Sequence, residues 1–475
     1  MLTAAQRISF GIGGAVYSVK EAAYAVFVLI FYTQVLGLAG TTAGVVLFVA
    51  VVFDALTDPI IGAWSDRLNT RWGRRHPFML AATLPLGVGF VGLFTPPAVV
   101  VESQLYLAGW LLFWTIWIRI LVSCFTIPHL ALSAEITQDY HERSRLIGTR
   151  MFFVFLVTVL LPAIALTLLF AENGGEDGRF VQANYPVYGI ASCLLLWLIG
   201  LSCVFGTRQQ ARPGHPEGQP PTGHAGLVGF LRDFAGTLRN RNFRSLIAFE
   251  ILAMVSYGAL IALNILVWTY YWELDAGAMS WMLAVPSVLG VCTALPVMGW
   301  LGRRWPKHKI MQMAGALMCF NVSWVLVLRF WGWLPENGHP LVFQLLLAQM
   351  VLWMFLFILR TVSVYSLIAD VTDEYELEQG RRQEGAFFAA FAFASKLSSG
   401  VGPLYGGIVL DAIGLQRGML PGTIDQNPLD ALALATLVGV LLPLLLSWHY
   451  SLKVSLSEQR LREIQAGLSK RQSAV

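Results

Sequence analysis

The chain has few charged residues and few cysteines, and each shortage excludes a class of protein. Charged residues make up 13% of the 475 positions, against roughly 25% in a typical soluble domain. The five cysteines lie in apolar stretches without a CxxC or Cys/His cluster, so we predict no metal centre, no disulfide framework and no cofactor. Hydrophobic residues instead make up 56% of the sequence. This composition indicates a polytopic membrane protein.

Twelve apolar segments are long enough to cross a lipid bilayer, and we predict a spanning helix for each. Their approximate limits are residues 8–34, 41–65, 77–98, 105–134, 146–171, 185–205, 243–272, 278–301, 309–331, 341–370, 385–413 and 429–452. The first segment lacks the small-residue cleavage site of a signal peptide, so we expect it to remain as a spanning helix.

The positions of the basic residues predict the orientation of these helices. If the N terminus is cytoplasmic, nearly all loop Lys and Arg residues lie on the cytoplasmic side, and only Arg179 and Arg417 lie in the opposite loops. Loops rich in Lys and Arg remain on the cytoplasmic side of a membrane. We therefore predict a multi-pass protein of the cell (inner) membrane with both termini in the cytoplasm. We expect a monomer that binds no nucleic acid.

A polar stretch rich in Pro and Gly, ARPGHPEGQPPTGH, separates the twelve segments into two sets of six. Such a composition is typical of a flexible linker. The predicted organisation is an N-terminal six-helix bundle over 1–205, a central cytoplasmic linker over 206–242, a C-terminal six-helix bundle over 243–453 and a cytoplasmic tail over 454–475.

The two halves also share landmarks at nearly equal spacing. The segment AEIT that ends at Thr137 recurs as ADVT ending at Thr372, and Gly62 with its basic loop recurs as Gly299 with LGRRWPKHK. Duplicated halves are typical of secondary transporters that work by alternating access, with the solute site between the repeats near the middle of the membrane.

Two aspartates four residues apart are the most informative residues of the second predicted span. A central Asp costs roughly 2.5 to 3.5 kcal/mol in a membrane helix, and the i, i+4 spacing places Asp54 and Asp58 on one helical face. Thr57 adds a hydroxyl to that face, and Pro59 leaves the carbonyl oxygen of Ala55 without its helical donor. This group of oxygens predicts a site for a proton or a sodium ion, and sodium is the only metal we expect there.

The loop after the second span resembles the signature loop of the major facilitator superfamily, with Gly62-x-x-x-Asp66-Arg67 followed by Arg71-Trp72-Gly73-Arg74-Arg75. The longer segment FDALTDPIIGAWSDR, followed by TRWGRR, resembles the glycoside–pentoside–hexuronide:cation symporters. Residues 31–38, 128–146 and 369–396 support the same resemblance. It implies the major facilitator fold: an all-α membrane protein of twelve transmembrane helices in two six-helix bundles.

The resemblance assigns expected roles in cation binding and coupling to five residues. Asp54 and Asp58 match the family's cation-binding carboxylates, and Thr57 matches a neutral oxygen ligand beside them. Thr126 stands where the family has an acid that serves both cation and sugar, and Lys396 matches a lysine linked to coupling. We expect Lys396 to act as a mobile counter-charge to Asp54 or Asp58.

The expected solute-binding residues match those of the family less closely than the cation-binding residues do. Arg150 lies near a family arginine that lines the sugar site, whereas Ser18 stands where the family has an acid that holds sugar hydroxyls. Lys20 and Glu21 are candidates in the first span, and because adjacent residues point about 100° apart on a helix, we expect them not to pair. Trp353 is a candidate for stacking on the solute, although many of the sixteen tryptophans are expected at the membrane interfaces.

The resemblance of the loop after the second span also implies a cytoplasmic latch, in which charged residues pair across helix ends. Its expected members are Gly62, Asp66, Arg67, Arg74 and Arg75. None of them is expected to touch the solute. Alternatively, these charged residues are exposed to solvent and serve only to orient the helices in the membrane.

These observations predict a secondary active transporter that couples a sodium ion or a proton to the symport of a glycoside, sugar or sugar acid. One alternative is a cation-coupled carrier of a lysolipid-like or other amphiphilic solute, favoured by the missing acids at Ser18 and Thr126. A further alternative is a non-transporting membrane sensor. No Ser/His/Asp set, phosphate-binding loop or metal cluster favours an enzyme.

Overall fold

The computed structural model describes residues 2–67, 70, 72–137, 139–172, 177–210, 227–379, 383–415, 419–454, 460, 463, 464 and 466. The side chains of Asp66 and Arg67, two of the expected latch residues, lie outside this description. Long apolar helices make up most of the described chain. In a bilayer, a helix satisfies all of its own backbone donors and acceptors, so such sequences form helices.

The helices are, in chain order, α1 Ala4–Gly13, α2 Ala15–Ala22, α3 Gly40–Arg67, α4 His76–Phe94, α5 Ala98–Val101, α6 Gln104–Ile136, α7 Tyr140–Leu168, α8 Asn184–Thr207, α9 Leu227–Thr237, α10 Arg241–Leu266, α11 Ala276–Leu301, α12 Lys307–Phe330, α13 Pro340–Gln379, α14 Glu384–Ser399, α15 Val401–Ile413 and α16 Gln426–Ser451. Wider π-helical turns at Ala23–Val28 and Phe31–Val35 extend α2, and one at Val267–Tyr271 extends α10.

Within the described chain, eleven helical runs are long and apolar enough to cross a membrane. The remaining predicted span, 385–413, corresponds to α14 and α15, which are only 16 and 13 residues long. The break falls at Gly400, beside a place where Gly402 meets Gly258 of α10. A Cβ added to Gly402 would lie 2.1 Å from the carbonyl carbon of Gly258, so the two backbones approach as only glycine allows.

The chain divides into two compact units. Unit 1 consists of Met1–Gly229, Asp275–Ser280 and Gly406–Ile424. Unit 2 consists of Phe230–Leu274, Trp281–Tyr405 and Asp425–Val475. The first boundary, after Gly229, falls within the stretch predicted as the linker.

Unit 1 has an aromatic core between the first span and α8. Phe31 stacks on Tyr185 with ring centroids 4.1 Å apart, and Phe27 stacks on Phe170 at 4.7 Å. Stacked aromatic rings bury large apolar surfaces in a fixed geometry. The core therefore holds the first span firmly against its neighbours in this unit.

The start of α3 is held by the far end of α15, which belongs to the same unit. The carboxylate of Asp411 accepts hydrogen bonds from the main-chain N–H groups of Gly40 and Thr41, each at 2.7 Å. A Cβ added to Gly407 would lie only 2.0 Å from the carbonyl oxygen of Gly40. A carboxylate at a helix N terminus satisfies free N–H groups and interacts favourably with the helix dipole.

In the part of unit 2 that the structure describes, two apolar cores can be distinguished. One surrounds Phe243, Met311 and Phe387 and includes Val454 and Ile464 from the end of the chain. The other joins α12, α13 and α16 around Trp353, Leu356, Leu359, Val440 and Leu444. The packing of these helices fixes the positions of the charged side chains described below.

Candidate functional site: a buried carboxylate cluster

Helices α3 and α6 of unit 1 pack side by side and bring four polar side chains together. Asp54 and Asp58 come from α3, and Arg119 and Ser123 come from α6. Both pairs have the i, i+4 spacing, which places each pair on one face of its helix. Two helices with matching polar faces in an otherwise apolar sequence bury those faces against each other.

The four side chains form a continuous hydrogen-bonded chain. Arg119 donates from Nη1 to Asp54 Oδ2 at 3.0 Å. The Ser123 hydroxyl lies 3.0 Å from Asp54 Oδ1 and 2.6 Å from Asp58 Oδ1. A hydroxyl has one proton to donate, so a single donor stands between two carboxylates. With both acids ionised and Arg119 protonated, these groups carry one net negative charge.

The two aspartates differ in their surroundings. Asp54 is only 2% exposed, whereas Asp58 is half-buried. A buried carboxylate is tolerated when a counter-ion and hydrogen bonds compensate for its lost hydration, and Arg119 with Ser123 provides both for Asp54. Asp58 is therefore the more accessible carboxylate of the cluster.

Arg119 also connects the cluster to the first span. Its guanidinium carbon lies 5.2 Å from the ring centroid of Tyr24, within the range of a cation–π contact. Arg119 itself is 8% exposed. The cluster thus involves the first span, α3 and α6 together.

The two expected threonine ligands bond to their own helices. Thr57 donates to the main-chain oxygen of Asp54 at 3.1 Å, and Thr126 donates to that of Val122 at 2.8 Å. A hydroxyl that donates its proton still has lone pairs for a cation. The role of both threonines as cation ligands stays a prediction.

The first span carries the expected solute residues Ser18, Lys20 and Glu21. Lys20 and Glu21 form an ion pair with Nζ and Oε1 2.6 Å apart, so the prediction that they do not pair was wrong. Their long flexible side chains bridge the angle between adjacent helix positions. Ser18 donates to the main-chain oxygen of Val154 in α7 at 2.8 Å.

Arg150 lies in α7 next to a glycine of the first span. A Cβ added to Gly14 would lie 2.7 Å from the Arg150 Cγ, so this glycine makes room for the arginine stem. Among the described residues, the buried Nε of Arg150 has no hydrogen-bond partner. An unused guanidinium donor is suited to an oxygen of a solute, although a solute contact by Arg150 stays a prediction.

Trp353 of unit 2 is buried next to Trp268 along a small cavity of about 50 Å³. Asn264, Asn321 and Gln349 add amide groups to the cavity wall. This volume is sufficient for a few water molecules. A stacking contact between Trp353 and a solute stays a prediction.

The expected coupling residue, Lys396, is half-buried in the last turn of α14. Its neighbour Ser395 donates to Glu250 Oε1 of α10 at 3.2 Å. The other oxygen of Glu250 accepts from Arg360 of α13 at 3.0 Å. Unit 2 therefore has a buried ionic cluster of its own.

Residues 9–453 match the family model described as MFS/sugar transport protein. The chain belongs to this family. Together with the relatives described next, the match confirms the predicted resemblance to the glycoside–pentoside–hexuronide:cation symporters and identifies the chain as a multi-pass membrane transporter, not an enzyme.

Curated relatives of several kinds are similar over nearly the whole chain. The putative glycoside/cation symporter YagG of Escherichia coli is 24% identical over 86% of this chain and 83% of its own. The isoprimeverose transporter of Lactiplantibacillus pentosus is 22% identical over 87% and 81%. The sodium-dependent lysophosphatidylcholine symporter 1 of Xenopus tropicalis is 23% identical over 98% and 90%.

Solved structures confirm the fold. The nucleoside transporter NupG superposes with a TM-score of 0.60 at 11% identity, covering 95% of this chain and 99% of NupG. A bacterial homologue of the human lysosomal transporter Spinster gives a TM-score of 0.59 at 16% identity, with coverage of 96% and 98%. The predicted fold class, an all-α major facilitator fold, is therefore confirmed.

Two of the expected latch arginines, Arg74 and Arg75, pair with an acid at the end of α6, and their role as a latch stays a prediction. Arg74 Nη2 and Arg75 Nε contact the same oxygen of Glu135, at 2.9 and 3.0 Å. Arg75 also donates to the Ser65 hydroxyl at 2.7 Å. Gly62 leaves open space, since a Cβ there would only meet the Ile127 side chain at 3.8 Å.

The corresponding region of unit 2, between the start of α12 and the later part of α13, has its own ion pair. Lys307 donates to both carboxylate oxygens of Asp370, at 3.0 and 2.8 Å. Asp370 is the residue that the sequence repeat matches with Glu135. The repeated landmarks thus form an equivalent contact in each unit.

Sequence reasoning missed two members of the carboxylate cluster. Arg119 is visible as a charge within an apolar span, but nothing in the sequence indicates that it faces Asp54. Ser123 gave no signal of its own, because neutral serines are common in membrane helices. The i, i+4 spacing between the two, equal to that of Asp54 and Asp58, was the available signal.

Proposed function

We propose that this transporter couples the inward movement of one monovalent cation to the import of a glycoside, sugar or sugar acid by alternating access. The observation that carries the proposal is the cluster of Asp54, Asp58, Arg119 and Ser123, whose net charge of minus one matches one bound cation. The relatives named as a glycoside/cation symporter and an isoprimeverose transporter favour a sugar-like solute.

In this proposal Asp58 takes the coupling ion. If the ion is a proton, it stays on Asp58, whose O–H donates a hydrogen bond to the Ser123 oxygen, while the Ser123 O–H donates a hydrogen bond to Asp54. If the ion is sodium, the lone pairs of Ser123 face it, and the hydroxyls of Thr57 and Thr126 complete the oxygen ligands. In both cases Arg119 keeps Asp54 ionised.

The solute would bind close to the first span and α7. The half-exposed Glu21 carboxylate can accept hydroxyl hydrogens, and the Arg150 guanidinium can donate to solute oxygens. Ser18 and Lys20 shape the same region. Lys396 would respond to the bound cation as the coupling residue, and Trp353 would contact the solute.

Uptake into proteoliposomes tests this proposal. Tritiated isoprimeverose and a tritiated glucuronide would be offered under a sodium gradient, a proton gradient or no gradient. We expect one gradient to drive accumulation of at least one solute, and Asp58→Asn to abolish the accumulation. Accumulation by Asp58→Asn at the normal level, or no accumulation of either solute, would contradict the proposal.

A lysolipid is the second candidate solute, because an open apolar groove lies between α11 and α13 of unit 2. It has a volume of about 430 Å³ and is lined by Val285, Leu289, Val351, Leu352 and Phe355. Relatives named as lysophosphatidylcholine symporters cover most of this chain. Sodium-dependent uptake of labelled lysophosphatidylcholine, without uptake of either sugar, would favour this candidate.

We further propose that the chain works as a monomer in the cell membrane, with both termini in the cytoplasm and without binding nucleic acid. The concentration of Lys and Arg in alternate loops supports the orientation.

A further inference from the structure

Unit 2 contains a buried ionic cluster that the cation site does not use. Glu250 of α10 accepts from Arg360 of α13 at 3.0 Å and from Ser395 of α14 at 3.2 Å. Glu250 is 5% exposed and Arg360 is 2% exposed. Three helices therefore meet at one carboxylate, in a part of the molecule where an unpaired charge is costly.

Two aromatic rings fix the arginine of this cluster in place. The guanidinium carbon of Arg360 lies 5.4 Å from the ring centroid of Phe249 and 5.3 Å from that of Phe357. Aromatic faces attract a guanidinium and restrict its orientation. With Arg360 fixed, one oxygen of Glu250 is occupied and the other is directed at Ser395 of α14.

Unit 1 has a similar set of contacts, made between two helices instead of three. There the arginine Arg119 takes one oxygen of Asp54, and the serine Ser123 takes the other. The serine of unit 1 also contacts the accessible carboxylate Asp58, and the residue next to the serine of unit 2 is the lysine Lys396. In each unit, a buried carboxylate that is paired with an arginine also accepts a hydrogen bond from a serine. That serine contacts or directly precedes a second, more accessible charge.

The geometry points to Glu250 and Arg360 as positioning residues for Lys396. Through Ser395 they fix the rotation and height of α14, so that the lysine side chain leaves the helix in one direction. Lys396 lies in the last turn of α14, after the residues Phe387, Ala390, Phe391 and Ala394 that pack this helix into the apolar core. The hydrogen bond from Ser395 therefore acts on the turn that carries the lysine. This inference rests on the proposed coupling role of Lys396.

A change at Ser395 tests the inference more directly than one at Glu250, because removing Glu250 alone would leave Arg360 buried without its counter-ion. Ser395→Ala removes only the tie to α14. Ser398→Ala is a matched control on the same helix, since that hydroxyl donates to the Ala394 carbonyl of its own helix. Ser395→Thr keeps a hydroxyl and serves as the rescue variant.

The first measurement is the rate at which acetyl N-hydroxysuccinimide acetylates Lys396 in the full chain, followed by peptide mass spectrometry. The second is the sodium chloride concentration, or the pH, that gives half-maximal uptake of tritiated isoprimeverose. We expect Ser395→Ala to change both by about tenfold, as for one lost hydrogen bond to a charged group. Ser395→Thr should restore both values, and Ser398→Ala should leave them unchanged.

The two measurements separate this inference from the proposed function. A wild-type acetylation rate in Ser395→Ala would overturn the positioning role, whatever the transport results. A changed acetylation rate, combined with no cation-dependent uptake in any variant, would support the positioning role and refute the coupled transport on which its purpose depends.

Discussion

At the scale of single residues, Arg119 determines how the carboxylate cluster behaves when no ion is bound. It occupies one oxygen of Asp54 and leaves the exposed side of the cluster to Asp58. A built-in cation of this kind keeps a buried acid ionised without a bound metal. The stability of the cluster should therefore depend on Arg119 more than on the coupling ion.

Replacing Arg119 by methionine tests this dependence. We expect Arg119→Met to cost about 3–5 kcal/mol of stability, because Asp54 would be buried without a counter-ion. Sodium should restore part of the loss, since a bound cation can take the position of the guanidinium. The measurement is the thermal unfolding midpoint of the purified protein in sodium chloride and in choline chloride.

Arg329→Met is the control for that experiment. The Arg329 guanidinium donates to the neutral oxygens of Pro335 and Asn337, so its loss should lower stability equally in both salts. If sodium stabilised the Arg119 and Arg329 variants to the same extent, the hypothesis that Arg119 serves as the built-in counter-ion of Asp54 would be disproved.

The limits of sequence reasoning are also visible at this scale. Asp54 and Asp58 could be predicted because a charge in an apolar span is costly and requires an explanation. Ser123 could not, because its importance depends on which helix lies opposite. The pairing of Lys20 with Glu21 was mispredicted because helix geometry describes Cβ directions, whereas long side chains reach beyond them.

At the scale of elements, the contact between α3 and α15 depends on the absence of two side chains. The backbones at Gly40 and Gly407 touch, and Asp411 then reaches the first N–H groups of α3. Any Cβ at position 407 would force the two helices apart. The hydrogen bonds of Asp411 would be lost as a consequence.

We therefore expect Gly407→Ala to lower the thermal unfolding midpoint, with an overpacking cost of about 1–3 kcal/mol or more. Gly109→Ala is the matched control in α6 of the same unit, because a Cβ there meets nothing within 4 Å. Unfolding midpoints of the two purified variants check the prediction. Equal midpoints would show that the helices separate without cost.

Hydropathy predicted the long membrane-spanning helices well, and the exception is the segment that contains α14 and α15. The segment 385–413 is mostly apolar, and the sequence Gly400-Val401-Gly402-Pro403 was the available sign of the interruption between α14 and α15. The interruption is the single residue Gly400, whose backbone angles remain α-helical, and two residues further on Gly402 closely approaches Gly258, which is far away in the sequence. A pattern read along one segment contains no information about such a contact.

At the scale of the whole molecule, the sequence repeat predicted that each unit has an acidic residue at the equivalent position after an apolar span. Glu135 pairs with Arg74 and Arg75, and the matching Asp370 pairs with Lys307. The repeat could be found because both units retain an acid after an apolar span. The basic partners could only be assigned from the packing, since each loop offers several Lys and Arg residues.

The orientation of the whole molecule can be tested with two exposed positions in unit 2. In a variant without native cysteines, Arg303→Cys lies in the loop between α11 and α12, and Glu336→Cys lies in the loop between α12 and α13. We expect a membrane-impermeant maleimide to label position 336 in right-side-out vesicles and position 303 in inside-out vesicles. The reverse pattern would place both termini outside the cytoplasm.

The hydroxyl of Ser123 has a consequence for the timing of transport. With one proton and two acceptors at different distances, its hydrogen bond favours the nearer Asp58, and a cation bound to Asp58 as proposed would turn that hydrogen bond toward Asp54. Rotation of a side-chain group takes picoseconds to nanoseconds, whereas helix and domain movements take microseconds to milliseconds. We therefore expect ion binding at Asp58 to alter the contacts of Asp54, and through Arg119 those of Tyr24, before any helix moves.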